Sequence, residues 1–304
     1  MTGTVLPTVA YGDPAAPPLV FLRGLPSEPG RARGLDALTE RLIVSGPART
    51  HRVHAVGRPA RLAPGATMAE VADLYAVMLR SRFRTPAAIM GVSTGASIAL
   101  QLAVDHPDLV SSLVVAAGAA TLGANGRAAQ RRYADLLSAG DKGATSELAV
   151  ATMDSPLLAP VVRLVTRLLP GPADPQGLRA LVEAEDGFDV RDRLSRVSAP
   201  ALVVSGGRDF FYPLQLAAET AHGLPRASHV VYLNRSHAGV ALHPRFGRDV
   251  GTSCAPTAQG PTRTAEGRIC VRRAPSRTLD GAEDRWSTCL HVRRTTQVGA
   301  RAGV

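Results

Sequence analysis

Gly91-Val92-Ser93-Thr94-Gly95 stands between an apolar run, Ala87-Ala88-Ile89-Met90, and a run of helical character from Ala96 to Val104. Strand, sharp turn and helix in that order form the context that a G-x-S-x-G turn requires. The spacing has a steric cause. A turn tight enough to lift Ser93 above a sheet drives its backbone toward positive φ. Side chains two residues to either side would then collide, and Gly91 and Gly95 leave the room. A helix that starts directly behind the serine aims free N–H groups at the place where negative charge would develop. In a chain with 29 glycines the pattern alone is weak, and its flanks give it weight.

Outward from this turn, short apolar runs alternate with segments of helical spacing. Strands are expected at 19–22, 52–56, 87–90, 113–117, 201–205 and 229–233, with helices at 35–43, 68–79, 96–105 and 213–222. Strands that are apolar throughout belong to a parallel sheet covered on both faces. The expected class is α/β, a doubly wound, mostly parallel sheet. From 119 to 197 the rhythm changes to short helices, at about 127–138, 144–152, 157–169 and 176–184, which read as an inserted helical cap. The expected organisation is a core in two parts, 1–118 and 198–250, around the cap at 119–197. Its most apolar helix carries Leu157, Leu158, Val161, Val162, Leu164, Val165, Leu168 and Leu169, expected to pack within the cap rather than to line a pocket. After Phe246 no sustained period is legible, so the Arg-rich stretch 251–304 is expected to be a disordered tail. It reads either as a native extension or as a frame-shifted replacement of the last covering helix.

Composition narrows the function. The net charge is +10, yet of 35 basic residues all but Lys142 are arginine, and nine arginines against four acids lie beyond residue 250. That bias reads as background rather than as a phosphate-binding face, so no nucleic-acid partner is expected. No apolar stretch reaches a membrane span and the start of the chain has no signal-peptide character, so a cytoplasmic protein is expected. Cys254, Cys270 and Cys289 match no metal or CxxC spacing.

A serine hydroxyl needs a base to take its proton, and the base needs a carboxylate to fix its tautomer. On such a sheet these groups come from loops at the carboxyl ends of strands. Two loops qualify: Gly206-Gly207-Arg208-Asp209-Phe210 and Asn234-Arg235-Ser236-His237-Ala238-Gly239. Ser93, Asp209 and His237 are therefore the candidate catalytic residues. His243 is the rival base, and Asp209 could instead serve only as a turn former. Acyl transfer also needs two donors for an oxyanion. Thr94 N–H at the helix start is one candidate. Leu25 N–H, in the loop Arg23-Gly24-Leu25-Pro26, is the other.

Together these motifs resemble the α/β-hydrolase superfamily, in particular bacterial single-domain hydrolases with a helical cap, over roughly residues 17–249. The resemblance implies the α/β-hydrolase fold, with Ser93 as nucleophile, His237 as base and Asp209 as acid. One departure is that the family usually carries His-Gly where this chain has Arg23-Gly24. The expected function is a serine hydrolase cleaving a small ester or related acyl substrate through an acyl-enzyme, with substrate choice in the cap and no cofactor or metal. The same triad also supports carbon–carbon bond hydrolysis and perhydrolysis, and a non-catalytic or degenerate member would keep the pocket without the chemistry.

Overall fold

The computed structural model describes residues 6–25, 29–153, 157, 159–168, 171–254, 268–272 and 287–291. The chain runs β1 (Thr8–Tyr11), β2 (Pro18–Leu22), α1 (Gly34–Ser45), β3 (Arg52–Val56), α2 (Met68–Arg82), β4 (Ala87–Val92), α3 (Thr94–Asp105) and β5 (Val110–Ala116). Four helices follow: α4 (Ala124–Ser138), α5 (Ala144–Met153), α6 (Ala159–Arg167) and α7 (Pro175–Asp186). Then come β6 (Ala201–Gly206), α8 (Leu214–Gly223), β7 (Ala227–Tyr232), α9 (His237–Ala241), α10 (Phe246–Ser253), β8 (Arg268–Arg272) and β9 (Ser287–His291).

The sheet order is β1-β3-β2-β4-β5-β6-β7-β8-β9. Every pairing from β3 to β8 is parallel, and β1 and β9 close the edges antiparallel. Alternate residues of each strand feed two apolar layers. Val20, Leu22, Ile89 and Val203 face α2 and α3, whereas Leu19, Phe21, Met90, Leu202 and Val204 pack with Val44 of α1 and with α10. Because both faces are covered, the strands read as unbroken apolar runs. The helix α2 starts on a capping box: Glu70 N–H donates to Thr67 Oγ1, and the Glu70 carboxylate accepts the Thr67 N–H.

The helices between β5 and β6 fold over the rim of the sheet. Tyr133, Leu137, Leu148, Leu178 and Val182 form a third apolar cluster with Phe211 and Tyr212, which lie just after β6. One helix serves both sides, since Leu181 and Ala184 of α7 belong to the layer over α2 and α3.

Three expectations change. The covering helix thought to be missing is present as α10, whose Phe246 and Val250 are buried with Cys254 among Leu19, Phe21 and Val230. It spans two turns and contains Gly247 and Gly251, so neither length nor propensity announces it. Gly247 is needed where it stands: a Cβ on Gly46 would lie 2.6 Å from its Cα, so a pair of glycines lets α10 approach the end of α1. The ordered core therefore passes residue 250. Second, β8 and β9 add two strands within the stretch expected to be unstructured; Arg268–Arg272 and Ser287–His291 have polar residues at both ends and so lack the continuous apolar run that marks the central strands. Residues 255–267, 273–286 and 292–304, with Trp286, lie outside the described residues. Third, much of the apolar stripe on and beside α6 is exposed rather than packed within the cap: Leu157, Leu164 and Leu168 are 89%, 64% and 78% exposed. Leu158 and Leu169 of that stripe lie outside the described residues. Among the described residues, no helix is long and apolar enough to cross a membrane.

Candidate active site

The site begins at the turn between β4 and α3. Ser93 holds φ +58° and ψ −128°, one of three non-glycine residues at positive φ among the described residues. Its N–H donates to Ala116 O of β5 at 3.0 Å, which fixes the strained residue from the neighbouring strand. The steric argument for the glycines holds in the folded chain. A Cβ on Gly91 would collide with the Gly95 carbonyl, and one on Gly95 with the Leu22 carbonyl of β2.

The other two candidates arrive from the carboxyl ends of β6 and β7. His237 Nε2 lies 2.8 Å from Ser93 Oγ, and His237 Nδ1 lies 2.9 Å from Asp209 Oδ2 and 3.0 Å from Oδ1. The Asp209 side chain is wholly buried. Its Oδ1 also accepts the N–H groups of Phe211 and Tyr212 at 2.8 and 3.0 Å, which keeps a desolvated carboxylate satisfied. The imidazole packs against two rings: Phe211 at 4.7 Å between centroids, and Tyr212 stacked at 5.9 Å. The rival His243 is elsewhere. Its ring stacks on Tyr232 at 3.8 Å and its Nδ1 accepts the Arg245 N–H.

Thr94 occupies the first position of α3, where an N–H has no partner within the helix. The loop after β2 abuts the serine: a Cβ on Gly24 would lie 2.8 Å from Ser93 Cβ and 3.4 Å from its Oγ. Leu25 follows in that loop, and Pro26 lies outside the described residues. Arg23 is turned into the protein. Its Nε donates to Val56 O at 3.2 Å and pairs with Glu40 at 3.4 Å, and its Nη2 donates to Gly30 O. The arginine thus ties the loop to the end of β3 and to α1. Tyr11 donates to the same Glu40 at 2.6 Å, and burial together with that carboxylate pushes its phenol up to about 12.

A cavity of ≈ 230 Å³ opens on Ser93 and His237. Its walls come from the loop after β2, from Thr39, Glu40 and Ile43 of α1, and from Ala241 and Leu242 around the end of α9. Among the described residues of 119–197, Thr152 lines it. Among the described residues, then, the cavity is lined mostly by the loop after β2, by α1 and by α9.

The sequence pattern of the alpha/beta hydrolase family matches residues 19–245. The chain belongs to the alpha/beta hydrolase family. Membership makes it a hydrolase. A pimeloyl-[acyl-carrier protein] methyl ester esterase from Chromobacterium violaceum is 29% identical over 199 residues, which cover 63% of this chain and 78% of the relative. Among solved structures, the enol-lactonase from Burkholderia xenovorans LB400 superposes with a TM-score of 0.70 at 18% identity, over 83% of this chain and 96% of that one. An alpha/beta hydrolase from a Medee basin deep-sea metagenome library gives the same TM-score at 18% identity, over 85% and 97%. These two share the fold.

Two groups near the site are not evident from the sequence. Glu40 is an acid on a helix of otherwise ordinary pattern, buried only because Arg23 and Tyr11 meet it. Glu185 lies in the last turn of α7, just beyond the expected helix at 176–184, and is fully buried behind the elbow turn.

Proposed function

We propose that this hydrolase cleaves a small ester or related acyl substrate through an acyl-enzyme on Ser93. The observation that carries the reading is the continuous relay of Ser93 Oγ, His237 and Asp209, at 2.8 and 2.9 Å, facing a cavity. His237 Nε2 takes the Ser93 proton as Oγ attacks the carbonyl carbon. Asp209 holds Nδ1 protonated and stabilises the imidazolium. The N–H groups of Thr94 and Leu25 hold the oxyanion. His237 then protonates the leaving alcohol, and a water that it deprotonates releases the acid.

The similarity to pimeloyl-[acyl-carrier protein] methyl ester esterases supports an ester as the substrate, with a methyl ester as one candidate. The cavity, smaller than the roughly 300–1,000 Å³ usual for drug-sized ligands, supports a small acyl or alcohol portion. Labelling with a fluorescent serine phosphonate tests the assignment: wild type takes one label and Ser93→Ala takes none. A Ser93→Ala variant that labels, or a wild type inert to both the phosphonate and short-chain p-nitrophenyl esters, overturns it and favours a binding protein.

A further inference from the structure

Glu185 is 0% exposed and its carboxylate meets four donors from three places in the fold: two from the first turn of α3, one from α4 and one from the loop after β6. Thr94 Oγ1 and Gln130 Nε2 donate to Oε2 at 2.7 and 2.9 Å. Ser97 Oγ and Tyr212 OH donate to Oε1, each at 2.7 Å. Burying a carboxylate away from cations costs several kcal/mol. Four hydrogen bonds saturate its acceptor positions, and the first turn of α3 adds the favourable end of a helix dipole. Burial first, and the Glu185 charge next, push the Tyr212 phenol well above its usual range, so Tyr212 stays a donor.

The donors are not arbitrary. Thr94 is the residue whose N–H would hold the oxyanion, and the Tyr212 ring stacks on His237. Tyr212 N–H also donates to Asp209. A single buried carboxylate on the last turn of α7 therefore grips both the oxyanion side and the histidine side of the site. Fixing both sides matters because catalytic geometry tolerates little drift; a misplacement of 1 Å can cost about 10²-fold.

We propose that Glu185 is a positioning residue for the reaction, holding Thr94 and Tyr212 so that the oxyanion donor and His237 keep their places relative to Ser93. The inference rests on the serine hydrolase reading given above. It concerns the transition state more than ground-state binding, because neither Thr94 Oγ1 nor the Tyr212 hydroxyl reaches the cavity wall.

The test uses full-length Glu185→Gln, Thr94→Val and their double variant, with folding verified by circular dichroism and Ser93→Ala as control. An amide has one acceptor oxygen, so Gln cannot keep all four donors as they stand. Thr94→Val keeps the backbone N–H and the branched shape and removes only the tether. Each single variant should lower kcat on a p-nitrophenyl ester about tenfold with KM within about twofold. Affinity for a trifluoromethyl ketone, whose adduct with Ser93 carries an oxyanion, should fall by the same factor. The double variant should fall no further than Glu185→Gln alone, as residues acting as a unit do. Should Glu185→Gln fail to fold, Thr94→Val still decides. Singles with wild-type kcat, losses in KM rather than kcat, or losses that multiply in the double variant overturn the proposal. If wild type shows no turnover that depends on Ser93, the hydrolase reading fails and takes this inference with it. Ser93-dependent turnover with unaffected Glu185 and Thr94 variants sinks the inference alone.

Discussion

Asp209 and His237 meet through both carboxylate oxygens, with Nδ1 at 2.9 Å from Oδ2 and 3.0 Å from Oδ1, while two backbone N–H groups also bind Oδ1. The carboxylate is held from below by its own loop and turned wholly toward the imidazole. That geometry is the one the proposed role of Asp209, orienting the ring and facing an imidazolium, requires.

Asp209→Asn keeps the shape of that contact and removes the charge. The amide can present its N–H₂ to Nδ1, which favours the tautomer with the proton on Nε2, the wrong one for accepting from Ser93. We expect kcat on a short-chain p-nitrophenyl ester to fall by about 10³–10⁴. A loss under tenfold would mean that the carboxylate is a turn former and not part of the chemistry.

The two histidines at the end of the chain's core should separate cleanly. His237→Ala should remove turnover to the level of Ser93→Ala. His243→Ala should keep kcat within a few-fold, because that ring packs on Tyr232 and does not meet the serine. Its cost should appear in the melting temperature. The opposite pattern of activities would move the base to His243.

Much of this was legible before folding. Strands β2, β4, β5, β6 and β7 are buried on both faces, so continuous apolar runs reveal them. Ser93, Asp209 and His237 sit at strand ends, where sequence position alone fixes their level in the sheet. What stayed hidden depends on distant partners. Glu185 looks like the polar end of an amphipathic helix until Thr94, Ser97, Gln130 and Tyr212 close on it. The helix α10 is weakened locally by Gly247, a residue that makes sense only beside Gly46. The cavity wall formed by α1 follows from the order of strands, which periodicity does not encode.

Gly95→Ala tests the elbow's steric logic. The added Cβ would strike the Leu22 carbonyl, a backbone atom in a central strand that cannot step aside. Destabilisation of at least about 1–3 kcal/mol is expected in urea unfolding, with loss of soluble protein at the upper end. A variant as stable and active as wild type would show that the turn has slack that this packing denies.

His229 should make stability depend on pH. The ring is buried, and Ser205 Oγ lies 2.7 Å from its Nε2. Burial lowers its pKa from 6.5 to about 4. Between these values the unfolded chain binds the proton and the folded protein does not, so stability rises with pH across that window and is lost on acidification. From pH 7 to pH 4.5 wild type should lose about 2 kcal/mol more than His229→Gln, which does not titrate. Parallel stability curves for the two proteins would remove His229 as the cause.

Arg23 and Glu40 form a buried pair at 3.4 Å, at 9% and 4% side-chain exposure, directly beneath the loop that carries Leu25. Removing one partner of such a pair strands the other's charge, at a cost of about 3–5 kcal/mol. Arg23→Met should therefore destabilise the protein by about 3 kcal/mol or more, with Glu40 left to Tyr11 alone. Adding Glu40→Gln should recover part of that loss, because no charge then remains buried. Recovery should be incomplete, since the arginine also donates to the Val56 and Gly30 carbonyls, which the second substitution does not restore. A double-mutant cycle in urea measures the coupling directly. Strictly additive losses would show that Arg23 acts only through those two carbonyls, and that the residue standing where the family usually carries histidine is a loop anchor rather than a counter-ion.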